Sequence, residues 1–292
     1  MSTTPIWIIV EGRYHDRAYY DRLLNSIPSI AGLQYEILLA EYHAVDEVAA
    51  GGKKHALKLH AALSENGWLR QRSKKTNHIV IFALDKDLDD EPTSNMPDDL
   101  HILYTKYADV EAEILQGNDL IDALTALTGA SKRDLIELAA EAHNPLQHIS
   151  EAWAEWHRWG LALRNANPNP LPIRSASLIN VGQFGPLDES ARVAHLQRVK
   201  ASVGEAEWGK RIETAHTLHA ELVRSGKSPR LVAGKWAAKY VIEAAKRDLS
   251  AVGIPGDLDP VDLTRVMLMT ISFSNRHKQR YEHRMLSLLA TA

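Results

Sequence analysis

The chain has 292 residues, of which 45% are hydrophobic and 24% charged, and its formal net charge is −3. This length suggests two domains, or one large domain with an appendage, and the apolar fraction is typical of a globular protein. Because the chain contains no cysteine, disulfides, thiolate zinc sites and cysteine nucleophiles are excluded. The apolar runs are shorter than the ~18–20 residues that span a bilayer, and the N-terminus carries no leader pattern. We therefore expect a cytoplasmic protein that does not contact a membrane.

The first third of the chain alternates short apolar runs with helical segments. The apolar runs predict strands at 6–10, 34–40, 78–84 and 101–105. Between the strands, helical periodicity predicts helices at 13–27 and 54–63. Strands that alternate with helices are typical of βαβ units, which build parallel sheets. The sequence therefore predicts an N-terminal α/β domain with a parallel sheet flanked by helices.

Helical stretches rich in leucine and alanine dominate the remainder of the chain. They lie at 109–116, 120–128, 131–143, 149–163, 188–203, 207–225, 231–249 and 259–290. The segment 165–173 is rich in proline and asparagine, which indicates a break in the helical series. We predict a sheet domain at 1–117 and a mainly α-helical domain at 118–292, with a break near 165–173.

Carboxylates follow the ends of three predicted strands. Glu11 comes directly after the first strand, Asp85 and Asp87 follow the third, and Asp109 and Glu111 follow the fourth. Ligands bind at the carboxyl ends of parallel strands, so adjacent first and third strands would bring their carboxylates to one edge. Grouped carboxylates favour a bound cation, and carboxylate oxygens are ligands that Mg²⁺ prefers. For the pair after the fourth strand the alternative is structural, because acids in a first helical turn favour the helix dipole.

The order of these motifs resembles the TOPRIM domain, a metal-binding fold shared by topoisomerases, primases and several nucleases. That domain has Glu-Gly after its first strand, as in Glu11-Gly12 here, and Asp-x-Asp after its third, as in Asp85-Lys86-Asp87. An N-terminal TOPRIM-like catalytic domain is therefore expected.

Two further segments are similar to motifs of stand-alone TOPRIM nucleases related to the overcoming-lysogenization-defect family. One is TKYADVEAEIL at 105–115, in which Lys106 departs from the aspartate of that pattern. The other is Gly234-Lys235 within LVAGKWAAKY. These motifs resemble in particular the class found as the toxic effector of bacterial anti-phage defence systems, beside an ABC-type ATPase.

The resemblance implies a metal-dependent endonuclease. Glu11, Asp85, Asp87 and Glu111 would hold Mg²⁺ or Mn²⁺, and Lys235 would neutralise charge on the scissile phosphate. The implied partners are a nucleic acid substrate, which is RNA (tRNA included) or DNA, and an ABC-type ATPase. A homodimer is compatible with the resemblance.

Charge is unevenly distributed along the chain. Residues 1–117 contain 12 basic and 18 acidic residues, whereas 192–250 contain 12 basic and 6 acidic residues. A metal-binding part beside a polyanion-binding part would explain this difference. Ordinary scatter of charge on solvated helices is the alternative.

Other functions remain open. The chain could be a non-catalytic, TOPRIM-shaped scaffold that binds a partner through its helical part, or another phosphoryl-transfer enzyme such as a phosphatase or primase. Trp153, Trp156 and Trp159 recur at helical spacing, which indicates a core or interface, with base stacking as the alternative. The basic cluster at 276–280 predicts a solvated face, with a partner surface as the alternative.

Overall fold

The structure is a computed structural model. It describes residues 5–12, 15–42, 52–72, 77–90, 96–138, 144–163, 189–251, 253 and 258–290. The predicted break at 165–173 lies outside these residues. So do parts of the helices predicted at 13–27 and 131–143.

Five strands form a mixed sheet. They are β1 Ile6–Val10, β2 Tyr35–Leu39, β3 Arg70–Arg72, β4 Asn77–Leu84 and β5 Ile102–Tyr104. β1 lies between β2 and β4 and pairs with both in parallel, and β5 also pairs with β4 in parallel. These parallel pairings confirm the predicted α/β class and its four strands.

The predicted sheet was wrong in one respect, because β3 pairs with β4 in the antiparallel direction. Its sequence is Arg-Gln-Arg. A polar strand of this length has no apolar run that would indicate it. The sheet is therefore mixed rather than wholly parallel.

The central strands are buried on both faces. All residues of β4 from Ile79 to Leu84 are buried, and so are four of the five residues of β1. On one face, Phe82 packs in a cluster with Ala56 and Leu59 of the second helix. Burial on both faces explains why these strands are continuous apolar runs rather than alternating ones.

Helices make up most of the remaining described chain. They are α1 Asp16–Asn25, α2 Lys53–Glu65, α3 Val110–Gln116, α4 Leu120–Thr128, α5 Lys132–Leu138, α6 Pro145–Ala152, α7 Ala154–Leu163, α8 Glu189–Val203, α9 Glu205–Arg224, α10 Gly234–Ala251, α11 Pro260–Thr270 and α12 Asn275–Ala290. The helical character predicted beyond residue 109 is thus confirmed within the described residues. Two predicted stretches, 149–163 and 259–290, are each interrupted, at Trp153 and at 271–274.

The chain forms two compact units. The first comprises 1–86, 96–106 and 270–292, and it contains the sheet, α1, α2 and α12. The second comprises 87–95 and 107–269, and it is helical where the structure describes it. Compactness is a different criterion from domain organisation, so the predicted boundary after residue 117 stays a prediction.

Three tryptophans, two in α7 and one directly before it, belong to the interior of the second unit. Trp153, Trp156 and Trp159 are buried. The first two contact Trp236 of α10, and the third contacts Trp208 of α9 edge-on. Their burial agrees with the interpretation of this stripe as core, and it leaves little ring surface for stacking on bases.

Candidate metal and phosphate site

Two of the predicted site residues, Glu11 and Asp85, lie at the neighbouring strand ends of β1 and β4 in the first unit. Parallel pairing places Val10 opposite Ala83, so the residues that follow the two strands emerge at the same edge of the sheet. Glu11 Oε2 accepts a long hydrogen bond of 3.4 Å from the backbone N–H of Asp85. Both residues are half-buried. The strands that precede Glu11 and Asp85 are thus neighbours in the sheet, which is the condition under which the sequence placed these residues at one edge.

Gly12, the second residue of the Glu-Gly motif, allows a buried carboxylate to approach the backbone. Its N–H donates to Asp16 Oδ2 at 2.8 Å. A Cβ at Gly12 would lie 2.5 Å from Asp16 Oδ1, which is too close for any side chain. Asp16 is buried and opens α1. The glycine therefore has a local structural role directly beside Glu11.

The start of α2 places a cation beside the two carboxylates. Gly52 has a φ of 83°, which favours glycine, and a Cβ there would lie 3.9 Å from Glu11 Oε1. The next residue, Lys53, donates from Nζ to the backbone oxygen of Asp85 at 2.6 Å. The same ammonium lies 5.4 Å from the centre of the Tyr104 ring. Lys53 is thus held at the carboxyl ends of β4 and β5.

The end of β5 is bonded to β4 on one side and to α12 on the other. The buried Thr105 accepts a 2.8 Å hydrogen bond at Oγ1 from the backbone N–H of Lys86. Arg280 of α12 donates from Nη2 to the backbone oxygens of Tyr104 at 2.6 Å and Thr105 at 3.4 Å. Hydroxyl and guanidinium groups therefore fix the strand end that adjoins Asp85.

Asp87 is the third carboxylate of the predicted strand-end set. It is half-buried, and it lies where the chain passes from the first compact unit into the second. Its backbone oxygen accepts a 3.0 Å hydrogen bond from Asp90 N–H in a short 3-10 turn. Its role as a metal ligand stays a prediction.

The second unit joins the two remaining motifs, the acidic pair and the Gly-Lys pair. Asp109 caps α3 by accepting from Ala112 N–H at 2.8 Å. Both of its carboxylate oxygens also accept from Gly234 N–H, at 2.8 and 2.9 Å. A Cβ at Gly234 would lie 2.0 Å from the Ala112 nitrogen. Only glycine lets the start of α10 approach α3 this closely.

Glu111 and Lys235, which the resemblance implicates, act electrostatically on the same buried group. The pKa of Asp109 is raised to about 7, mainly by burial and also by the charge of Glu111. The backbone donors and the charge of Lys235 act in the opposite direction. Glu111 is half-buried and Lys235 is exposed. The motifs at 109–111 and 234–235 therefore form one assembly, although 125 residues separate Asp109 from Gly234.

The donor set at the strand ends fits a divalent oxygen-ligated cation. Mg²⁺ commonly takes one or two protein carboxylates, and waters and substrate phosphate complete its shell. Glu11 and Asp85 supply such a pair. Among the residues that the structure describes, no group of three or more histidines and acids is arranged to hold a metal ion. Mg²⁺ or Mn²⁺ binding therefore stays a prediction that rests on two carboxylates.

Comparisons with known proteins do not assign the chain to a family. No protein-family model, no curated protein and no solved structure matches it. No helix among the described residues is both long and apolar enough to cross a membrane.

Some contacts of this region had no distinct signal in the sequence. Lys53 follows Gly51-Gly52 and precedes the helix predicted at 54–63, which indicates a basic residue near the acidic motifs but not its bond to Asp85. Thr105 and Arg280 could not be connected in this way, because 175 residues separate them. Only the packing of α12 against β5 brings them together.

Proposed function

We propose that this protein is a metal-dependent nuclease that cleaves phosphodiester bonds in nucleic acid. The observation that carries the proposal is the placement of Glu11 and Asp85 at adjacent parallel strand ends, with the Lys53 ammonium bonded to the backbone oxygen of Asp85. Acidic residues at neighbouring strand ends beside a cation are suited to phosphoryl chemistry, in which a metal ion and a positive side chain stabilise a phosphate.

In this proposal the chain's own groups have distinct roles. Glu11 and Asp85 would hold the ion at the strand ends. A bound Mg²⁺ would polarise the phosphate and lower the pKa of a water molecule. Lys53 offsets negative charge that develops on the phosphate, and its bond to the Asp85 oxygen fixes its position before the substrate arrives.

The remaining predicted residues are assigned by the resemblance alone. Asp87 and Glu111 would complete the metal shell, and Lys235 would contact the scissile phosphate. Asp109, by contrast, is occupied as a helix cap and as the partner of Gly234. We assign it a structural role.

The biological setting that we propose also rests on the resemblance. The protein would be the toxic effector of a bacterial anti-phage defence system, controlled by an ABC-type ATPase. Co-expression with an ATPase encoded beside it should suppress the toxicity of this chain, and the chain alone should slow growth. Equal growth with active and Glu11→Gln chains would contradict an effector role.

A non-catalytic scaffold is the second candidate. It is favoured by the structural use of Asp109, whose carboxylate caps α3 and bonds Gly234. In that case the acidic motifs would stabilise helix ends, and the helical part would bind a protein partner.

A cleavage assay separates the two candidates. Purified wild-type protein should cleave RNA or DNA with Mg²⁺ or Mn²⁺, and Glu11→Gln and Asp85→Asn should each reduce the rate by at least about 100-fold, the effect of losing transition-state charge stabilisation. Glu65→Gln is the matched control, because Glu65 is exposed at the far end of α2. Cleavage that survives both site substitutions would contradict the nuclease proposal.

A further inference from the structure

The beginning of α12 carries arginines at the carboxyl edge of the sheet. Arg280 donates a hydrogen bond to the end of β5, whereas Arg284 donates one to the backbone oxygen of Asp99, which precedes β5. α12 therefore runs antiparallel to β5. Arg276 is one turn before Arg280, about 6 Å along the helix axis, so it lies beyond the end of the strand.

Neither arginine is neutralised within the described part of the chain. The hydrogen bonds of Arg280 go to backbone oxygens, which hold the guanidinium in place and leave its charge uncompensated. Arg276 is exposed and forms no ion pair with a described residue. Two like charges four residues apart on one helix face repel each other, and a bound anion relieves this repulsion.

A third cation and a neutral histidine adjoin the arginines. The pKa of His277 is lowered to about 4, mainly by burial and also by the positive charges of Arg280 and Lys106. Both cations therefore lie close to this ring. Its Nε2 is 2.8 Å from the Tyr19 hydroxyl. His277 is thus uncharged. Lys106 is exposed just after β5, and we call Arg276, Arg280 and Lys106 together the positive rim.

This rim lies beside the two carboxylates of the proposed metal site. β5 pairs with β4, and β4 pairs with β1. Neighbouring strands are about 4.8 Å apart, so the end of β5 is roughly 5 Å from the end of β4 and roughly 10 Å from that of β1. These separations are within about one Debye length at 0.1 M salt. A strand of nucleic acid with one phosphate at Glu11 and Asp85 would bring its neighbouring phosphates to the rim.

We infer that Arg276 and Arg280 bind backbone phosphates of a nucleic acid next to the phosphate that reacts. Arginine suits this role, because its planar guanidinium can donate two hydrogen bonds to one phosphate. The rim also offsets the repulsion that Glu11 and Asp85 exert on a polyanion. The inference rests on the proposed function, because it takes nucleic acid as the substrate.

Binding titrations over a range of salt concentrations test the inference. The probes are fluorescein-labelled 20-nucleotide single-stranded RNA, single-stranded DNA and duplex DNA, with EDTA present to prevent cleavage. In Arg276→Gln/Arg280→Gln the glutamine amide can still donate to the strand-end oxygens while both charges are lost. The negative slope of log K against log salt should become less steep, by about 1.4 for single strands and about 1.8 for duplex. Arg276→Lys/Arg280→Lys should retain most of the wild-type slope.

The matched control is Arg22→Gln/Lys58→Gln, which also removes two exposed cations from the first unit. It should keep the wild-type slope. Equal slopes for the wild type and the arginine double variant overturn the inference, and Glu11-dependent cleavage in the same preparation would leave the nuclease proposal standing. Wild-type protein that binds none of the probes overturns both. Arginine-dependent binding without cleavage supports the phosphate site and contradicts the nuclease.

Discussion

Gly234 shows how one residue can control the meeting of two helices. Its backbone N–H lies between the two oxygens of Asp109, and any Cβ would collide with the backbone of α3. We predict that Gly234→Ala lowers the free energy of unfolding by about 2 kcal/mol or more, because backbone atoms must move. Urea denaturation followed by circular dichroism measures this change.

Gly209 provides the control for that substitution. It lies inside α9, it is exposed, and a Cβ there would meet nothing within 4 Å. Gly209→Ala should therefore stabilise the protein by roughly 0.5–1 kcal/mol, because alanine loses less conformational entropy in a helix. Equal effects of the two substitutions would contradict the close approach at Gly234.

His157 is a buried titratable group whose contribution to folding stability depends on pH. Burial lowers its pKa to about 3, and the charge of His219 contributes. The unfolded chain binds a proton near pH 6.5, so between pH 6.5 and 3 it holds more protons than the folded chain. This histidine should therefore reduce stability as the pH falls, by up to about 1.4 kcal/mol per pH unit.

Unfolding by urea at several pH values tests this prediction. His157→Phe and His157→Gln both remove the titrating group, so the acid-side loss of stability should be smaller in each than in the wild type. Parallel pH profiles for all three proteins would show that His157 does not titrate in this way.

At the scale of elements, α12 belongs with the sheet. Tyr281 is almost fully buried and contacts the rings of Tyr20 and His277. We predict that Tyr281→Ala costs about 3 kcal/mol or more, as for other large buried aromatics. Leu286 lies on the same helix with 39% of its surface exposed. Leu286→Ala should cost less than about 1 kcal/mol in the same thermal or urea unfolding experiment.

The sequence was informative about elements where local signals were strong. β1 was predicted at its observed bounds, because it is a continuous β-branched run. α4 was also predicted at its observed bounds: Asp119 caps its beginning and Gly129, in the left-handed conformation, ends it. The break at Trp153 and the strand β3 were missed, because apolar periodicity continues through the first and is absent from the second.

The candidate site was predictable for a similar reason, and only in part. Glu11 and Asp85 directly follow apolar strands, so a parallel sheet was enough to place both at its carboxyl edge, whereas their adjacency depends on a strand order that only the structure gives. The contributions of Lys53 and Arg280 depend on where α2 and α12 pack, which no local pattern specifies. The acidic residues of the site could therefore be predicted from the sequence pattern, whereas the positions of the cations depend on tertiary packing.

At the scale of the whole molecule, the sheet unit is discontinuous in sequence, because residues 270–292 belong to it. A fragment of residues 1–117 lacks Arg280, Tyr281 and the other docking groups of α12. We predict that this fragment shows no cooperative urea transition, and that a version linked to 270–292 regains one. A cooperative transition of equal midpoint in both fragments would contradict the assignment of α12 to this unit.

The central claim for the molecule is that Glu11 and Asp85 together hold a divalent cation that serves phosphodiester cleavage. Titration with Mn²⁺, followed by electron paramagnetic resonance of the free ion, tests it most directly. The account predicts that the wild type and Glu65→Gln bind the ion alike, and that Glu11→Gln and Asp85→Asn each weaken binding at least about tenfold, which corresponds to about 1.4 kcal/mol. Unchanged Mn²⁺ affinity in both site variants, with their folds intact, would contradict it.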